Sequence, residues 1–94
     1  MELKFSVQYH KAVVDDDIPK LPLVWKNKIK VAIENKLVAK PETFGKPLRR
    51  SFKGYRKLRV GDYRVIFRIE KKKVKILAIL HRSIVYKKTK IRII

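Results

Sequence analysis

Residues 55–81 read YRKLRVGDYRVIFRIEKKKVKILAILH, and how this stretch pairs with itself decides the fold. Tyr55 to Val60, Tyr63 to Glu70 and Val74 to His81 are three runs rich in β-branched and aromatic residues, the composition of strands. Gly61-Asp62 and the lysines at 71–73 separate them, so the stretch is expected to form a β-meander. If Gly61-Asp62 is a two-residue hairpin turn, Val60 pairs with Tyr63 and Arg59 lies opposite Arg64. Lys57 then faces Ile66 and Tyr55 faces Arg68. One side of the hairpin therefore carries Tyr55, Lys57, Arg59, Arg64, Ile66 and Arg68. The other carries Leu58, Val60, Tyr63, Val65, Phe67 and Ile69, a core surface with Arg56 as the one misfit at its rim. For the third strand a three-residue loop brings Leu80 to Arg64 and a four-residue loop brings His81 there; the reading adopted is the second.

Upstream, Glu2 to Tyr9 alternates with Leu3, Phe5, Val7 and Tyr9 on one side, as a half-buried strand does. A short helix is expected from His10 to Asp17, ending near Ile18-Pro19. Pro22 opens a second, amphipathic helix in which Trp25, Ile29, Ala32, Ile33 and Leu37 recur at three- and four-residue steps, until Pro41 stops it. Residues 41–54, with Pro41, Gly45, Pro47 and Gly54, read as loop. The order of strand, two helices and three antiparallel strands argues for a single α+β domain over 1–94, its helices packed on one face of a twisted antiparallel sheet. The tail from Lys87 to Ile94 reads equally as a flexible arm, an edge strand or a helix extension.

Composition narrows the function. Of the 94 residues 46% are hydrophobic, enough for one core, and there is no cysteine for a disulfide framework or a thiolate zinc site. No apolar run approaches a membrane span, and the N-terminus lacks the apolar centre of a signal peptide, so a cytoplasmic protein is expected. The formal charge of +18 is uneven. Residues 1–45 hold 8 Lys/Arg and 6 Asp/Glu, and residues 46–94 hold 18 and 2. Such asymmetry points to a polyanion, nucleic acid first, or to an acidic partner. Arg59 opposite Arg64 costs a few tenths to about 1 kcal/mol by repulsion, which a phosphate bound in the planar forks of the arginines would relieve. Arg68, Lys87 and Lys88 extend the candidate phosphate-binding surface.

Asp15, Asp16 and Asp17 are consecutive, so on a helix they diverge and do not converge on a metal; neither metal nor cofactor is expected, and no nucleotide-binding glycine loop is present. RNA carries its own nucleophile in the 2′-OH. A metal-free enzyme then needs a base, cations for the phosphorane and an acid for the leaving 5′-oxygen. Arg64, helped by Arg59 and Arg82, is the candidate for the phosphate; Lys57, His81 and Tyr86 are the candidates for proton transfer.

YRKLRVGDYRVIFRI followed by ILAILHRSIVYKK resembles the RelE/ParE superfamily of bacterial and archaeal toxins, with its L-R-x-G-x-Y-R-V-I-Y-like hairpin and closing H-R-x-x-V-Y. The resemblance implies a toxin paired with an antitoxin, whose acidic or amphipathic segment would cover the basic face. Its RelE-like members are ribosome-dependent endoribonucleases that cut mRNA by 2′-OH attack. Matched by position, the family's basic strand residues correspond to Lys57 and Arg59, its Y-R arginine to Arg64, and its C-terminal acid or base positions to His81, Arg82 and Tyr86. The sequence departs from the pattern at Leu80, where some members have a basic residue, and at Tyr55, where some have a catalytic lysine. ParE-like members share the fold but inhibit DNA gyrase without cleaving RNA, and a noncatalytic basic RNA-binding protein is a third reading of the charge. The cluster of Lys57, Arg64, His81 and Tyr86 favours the ribonuclease.

Overall fold

The computed structural model of the chain describes residues 4–49 and 52–93; Glu2 and Leu3 of the expected first strand, and Ile94 of the tail, lie outside them. Five strands form one sheet in the order β1-β5-β4-β3-β2: β1 (Ser6–Tyr9), β2 (Lys46–Pro47), β3 (Arg56–Val60), β4 (Tyr63–Glu70) and β5 (Lys73–His81). The α+β architecture is as expected, but the sheet is mixed. β1 runs parallel to β5, Ser6 to Tyr9 against Lys73 to Ile76. The long connection between them, through the helices and then strands β2 to β4, is what permits that pairing. β2, in the region read as loop, adds a two-residue strand beside Arg56 and Lys57.

The first helix, α1, covers residues 11–20. It runs past the expected end because the turn over Val13–Asp17 is a wide π-turn, in which the Ile18 N–H reaches the Val13 carbonyl. Pro19, which has no N–H to offer, then sits in the next turn without breaking the helix. The second helix, α2, covers residues 23–37 after Pro22 and buries Ile29, Ile33 and Leu37. Pro41 does stop it, and starts a single helical turn of its own, α3 (Pro41–Phe44). Arg56 explains itself here, since its guanidinium donates to the Gly45 carbonyl at 3.0 Å and to that of Glu42 at 3.4 Å, holding the carbonyl end of α3.

α1 and α2 cover one face of the sheet, where Val13, Leu21, Ile29, Ile33 and Leu37 meet Leu58, Val65, Phe67, Val74, Ile76 and Ile79. Of the three readings open for the tail, flexible arm, edge strand and helix extension, the structure shows the helical one: residues 85–93 form α4 (Val85–Ile93). α4 packs on the opposite face, where Val85 joins Ile66, Leu77, Ala78 and Leu80. Helices therefore flank both faces at β5. Among the described residues no helix is long and apolar enough to cross a membrane.

The β3–β4 register is the expected one, with Val60 opposite Tyr63, Arg59 opposite Arg64 and Lys57 opposite Ile66. Gly61 has φ +59, and a Cβ there would stand 2.3 Å from the Trp25 ring. Turn and packing both demand glycine. The β4–β5 register differs from expectation. A two-residue turn at Lys71-Lys72 pairs Glu70 with Lys73, with Lys71 at φ 58. A bulge then shifts the register, so that Phe67 faces Ile76 but Ile66 faces Ala78, leaving Leu77 as the extra residue. In consequence Leu80, not His81, lies opposite Arg64.

α4 is held by a buried ion pair. Arg92 makes a two-pronged contact with Asp17, 2.6 Å on each prong, with side chains 12% and 1% exposed. The guanidinium also donates to the Leu77 carbonyl at 3.0 Å, and the Asp17 carboxylate accepts the Ile79 N–H at 2.9 Å. Hydrogen bonding to Asp17 pushes the Arg92 pKa up.

Three stability changes should follow. Arg92→Ala leaves a buried carboxylate without its cation and should cost about 3–5 kcal/mol, read as a lowered denaturation midpoint with accelerated amide exchange over Val85–Ile93. The double change Asp17→Leu with Arg92→Met should still cost about 1–3 kcal/mol for each backbone group left bare; a double variant as stable as the parent would show that these backbone bonds contribute nothing. Gly61→Ala, facing both the positive φ and the Trp25 ring, should cost about 2–4 kcal/mol in the same measurement.

Candidate active site

Alternation along the strands puts Lys57 and Arg59 of β3, Arg64 and Arg68 of β4, and Lys75 of β5 on the face that α4 covers only over β5. The β3–β4 half of this face is left open, and it is basic. α4 begins at Val85, which is fully buried, and so places Tyr86 at the edge of that opening. The Lys57 ammonium donates to the Tyr86 hydroxyl oxygen at 3.3 Å and lies 5.9 Å from the ring centre. Phe52 meets the Tyr86 ring edge-on at 6.0 Å, supporting it from the loop before β3. Since Tyr86 accepts from Lys57, its own hydroxyl proton is directed elsewhere and is available to a substrate oxygen.

Of the arginines of the face, Arg64 is held by backbone carbonyls and Arg68 by a carboxylate. Arg64 folds back along the hairpin, its guanidinium donating to the Gly61 and Tyr63 carbonyls at 2.9 Å each. This moves its charge toward the turn and away from Arg59, which is exposed across the ladder. Arg68 lies 6.0 Å from the Tyr55 ring centre and pairs with Glu70 at 2.9 Å. Glu70 also accepts from Lys75 at 3.1 Å. The Lys75 hydrogen bond, with the Lys75 and Arg68 charges, holds the Glu70 carboxyl below the ordinary range.

His81 is not part of this group. Because of the bulge it pairs with Tyr63 and lies on the opposite face, its ring edge-on to Tyr63 at 5.6 Å. Its Nδ1 accepts the Ser83 N–H at 3.2 Å and lies 2.8 Å from the Ser83 hydroxyl, which orders the turn into α4. Lys88 shares a cavity with His81, Lys20 and Asp17 on that side. Arg82 sits at the hairpin tip: its N–H reaches the Asp62 carbonyl at 2.8 Å, and its exposed side chain pairs with the Asp62 carboxylate at 3.6 Å. Lys87 is exposed on α4. The structure thus puts Lys57, Arg59, Arg64 and Arg68 on one sheet face, brings Lys57 into contact with Tyr86 at its edge, and separates His81 and Lys88 from them.

Sequence reasoning missed Phe52, which stands in a loop without periodicity, and the Asp17–Arg92 pair that fixes α4 and with it Tyr86. The aspartate run is divided by the structure: Asp15 pairs with Lys11 and Asp17 turns inward to Arg92. Among the described residues no three His, Cys, Asp or Glu side chains come together as metal ligands would.

Known proteins share the fold. The chain resembles, at 29% identity and a TM-score of 0.79, a chain of the toxin–antitoxin complex RelBE2 from Mycobacterium tuberculosis, covering 88% of this chain and 97% of that one. A chain of the RelB–RelE antitoxin–toxin complex from Methanococcus jannaschii shares the fold at 23% identity and a TM-score of 0.66, over 83% of this chain and 93% of the other. YafQ from Escherichia coli does so at 16% and 0.60, over 87% and 98%. No curated protein sequence matches significantly. Residues 11–86 match the model of the ParE toxin of the type II toxin–antitoxin system parDE, bearing out the superfamily resemblance read from the hairpin and the H-R-x-x-V-Y ending. With four-fifths of its length inside that match, the chain belongs to the ParE toxin family, the toxins of type II toxin–antitoxin modules.

Proposed function

We propose that this toxin is a metal-free endoribonuclease that cleaves mRNA on the ribosome by attack of the 2′-OH on the adjacent phosphate. The observation that carries the reading is the Lys57–Tyr86 hydrogen bond on a sheet face lined with arginines. Arg64 and Arg59 supply charge for the phosphorane, which forms only in the transition state, so stabilising it there raises the rate. Tyr86 gives its proton to the leaving 5′-oxygen, and Lys57 orients Tyr86 while adding a third positive charge. Glu70, the acid on the strands of this face, is occupied by Arg68 and Lys75. With Lys57 acting as the ammonium, removal of the 2′-OH proton falls to a group of the ribosome. His81, on the far face, has the task of ordering the turn that presents Tyr86.

The antitoxin is an acidic or amphipathic protein that covers this face, neutralising it electrostatically and sterically. That the RelBE2 and RelB–RelE neighbours were solved as toxin–antitoxin complexes supports such a partner. A second reading, gyrase inhibition without nuclease activity, is favoured by the ParE character of the family match. It assigns no role to a lysine-bonded tyrosine among arginines.

With programmed ribosomes, the purified toxin should cleave mRNA and Tyr86→Phe should slow cleavage roughly 10²- to 10⁴-fold, the usual contribution of a positioned acid. Intact mRNA together with blocked gyrase supercoiling would sink the ribonuclease reading in favour of the other. Arg64→Ala should abolish growth inhibition with the fold retained, measured by colony counts beside circular dichroism; undiminished toxicity would remove Arg64 from the mechanism.

A further inference from the structure

One row of side chains crosses four strands on the open face and has no part in the chemistry above. Arg68 is the β4 partner of Lys75 on β5, and Lys75 is the partner of Gln8 on β1. Tyr55, just before β3, completes the row, with the Arg68 guanidinium over its ring. Together with Leu77 these four side chains line a cavity of about 220 Å³. The neighbouring row, Lys57, Ile66 and Ala78, is the one over which Tyr86 stands. Two residues of strand separate the rows, roughly 6.6 Å at the usual rise. That is within the reach of one extended nucleotide from a phosphate at Lys57 and Tyr86.

The chemistry of the row suits a base better than a second phosphate. Glu70 bridges Arg68 and Lys75 and so cancels one of their two charges, which weakens the cavity as an anion site. What remains is a platform of aromatic ring and guanidinium plane, onto which bases stack, and an exposed Gln8 amide with both donors and an acceptor. We propose that the cavity of Gln8, Tyr55, Arg68 and Lys75 binds the nucleobase next to the scissile phosphate, Tyr55 and Arg68 stacking it and Gln8 reading its edge. The inference rests on the RNA-cleaving reading of the Lys57–Tyr86 site, and assigns the choice of cleavage position to a pocket one row away from it.

The test uses fluorescence anisotropy with end-labelled RNA tetranucleotides whose 2′-hydroxyls are methylated to prevent cleavage, each carrying an abasic residue at one position or none. For wild type, one abasic position should weaken binding roughly five- to 150-fold, the range contributed by a stacked base. Tyr55→Leu, which keeps apolar bulk, should lose a similar factor on intact RNA and show no further loss at that abasic position. Gln8→Ala, an exposed change, should alter the ranking of the four bases there and leave the abasic RNA unaffected. If Tyr55→Leu loses as much on the abasic RNA as on the intact one, or binds both as wild type does, the pocket is not a base site. Base-dependent binding without ribosomal cleavage upholds the pocket and overturns the nuclease reading; cleavage with binding indifferent to Tyr55 overturns the pocket alone. Absence of both binding and cleavage overturns both.

Discussion

The buried contact between Asp17 and Arg92 is the constraint on which the arrangement of the basic face depends. β1 accompanies β5 only as far as Ile76, whose carbonyl accepts the His10 N–H at 2.8 Å. Beyond that point the edge of β5 would expose backbone groups inside the protein, where an unpaired donor or acceptor is costly. The Asp17 carboxylate takes the Ile79 N–H and the Arg92 guanidinium gives to the Leu77 carbonyl, so two side chains continue the ladder that β1 leaves unfinished. An isolated buried ion pair is weak evidence of stability, because desolvation offsets the attraction. Here each ion also satisfies backbone, and the pair joins α1, β5 and α4 at one point.

The bulge at Leu77 determines what those elements present. Ahead of it, Ile76 turns toward α1 and α2; after it, Ile79 does, while Leu77, Ala78 and Leu80 turn toward α4. The extra residue gives α4 an apolar bed on a face that is otherwise charged. α4 therefore stops at β5 and leaves the basic half of the face open, with Tyr86 at the boundary. The same shift sends His81 to the other side. Without the bulge a uniform ladder would carry the phase of Phe67 and Ile76 to the strand end, and Arg64 would face Ile79.

This division also sets what could be read from the chain. The β3–β4 hairpin was legible because alternation and a glycine turn specify the same register, and Gly61 is further fixed by Trp25. The register of β5 was not, because its turn places a lysine at positive φ and its bulge compensates by one residue, neither with a local signature. Helix α4 was obscured by composition: Val85 and Thr89 mark its buried stripe, but both are β-branched residues of low helix propensity, set among lysines. Lys57, Arg59, Arg64 and Tyr86 could be nominated from residue type and family pattern. Their separation from His81 depended on the one register that local sequence left open.

A protein with 26 basic and 8 acidic residues must orient its arginines without neutralising them if they are to act on a polyanion. Backbone carbonyls perform that task here. Arg64 is held by the carbonyls of Gly61 and Tyr63, and Arg56 by those of Glu42 and Gly45. A carbonyl fixes the plane of the guanidinium but carries no net charge, so the cation's field reaches solvent until salt screens it over about 8–10 Å, whereas a paired carboxylate would cancel most of it at the source. Carboxylates are used where charge has another purpose: Asp17 inside the core, and Glu70 between Arg68 and Lys75 at the end of the face away from the Arg59–Arg64 pair. The open face is thereby graded, with cations that meet no carboxylate from Lys57 toward the turn and a half-neutralised patch beside Tyr55. A polyanion crossing it would meet its strongest attraction on the Arg59–Arg64 side of Lys57, and an aromatic surface one row beyond Lys57 at Tyr55.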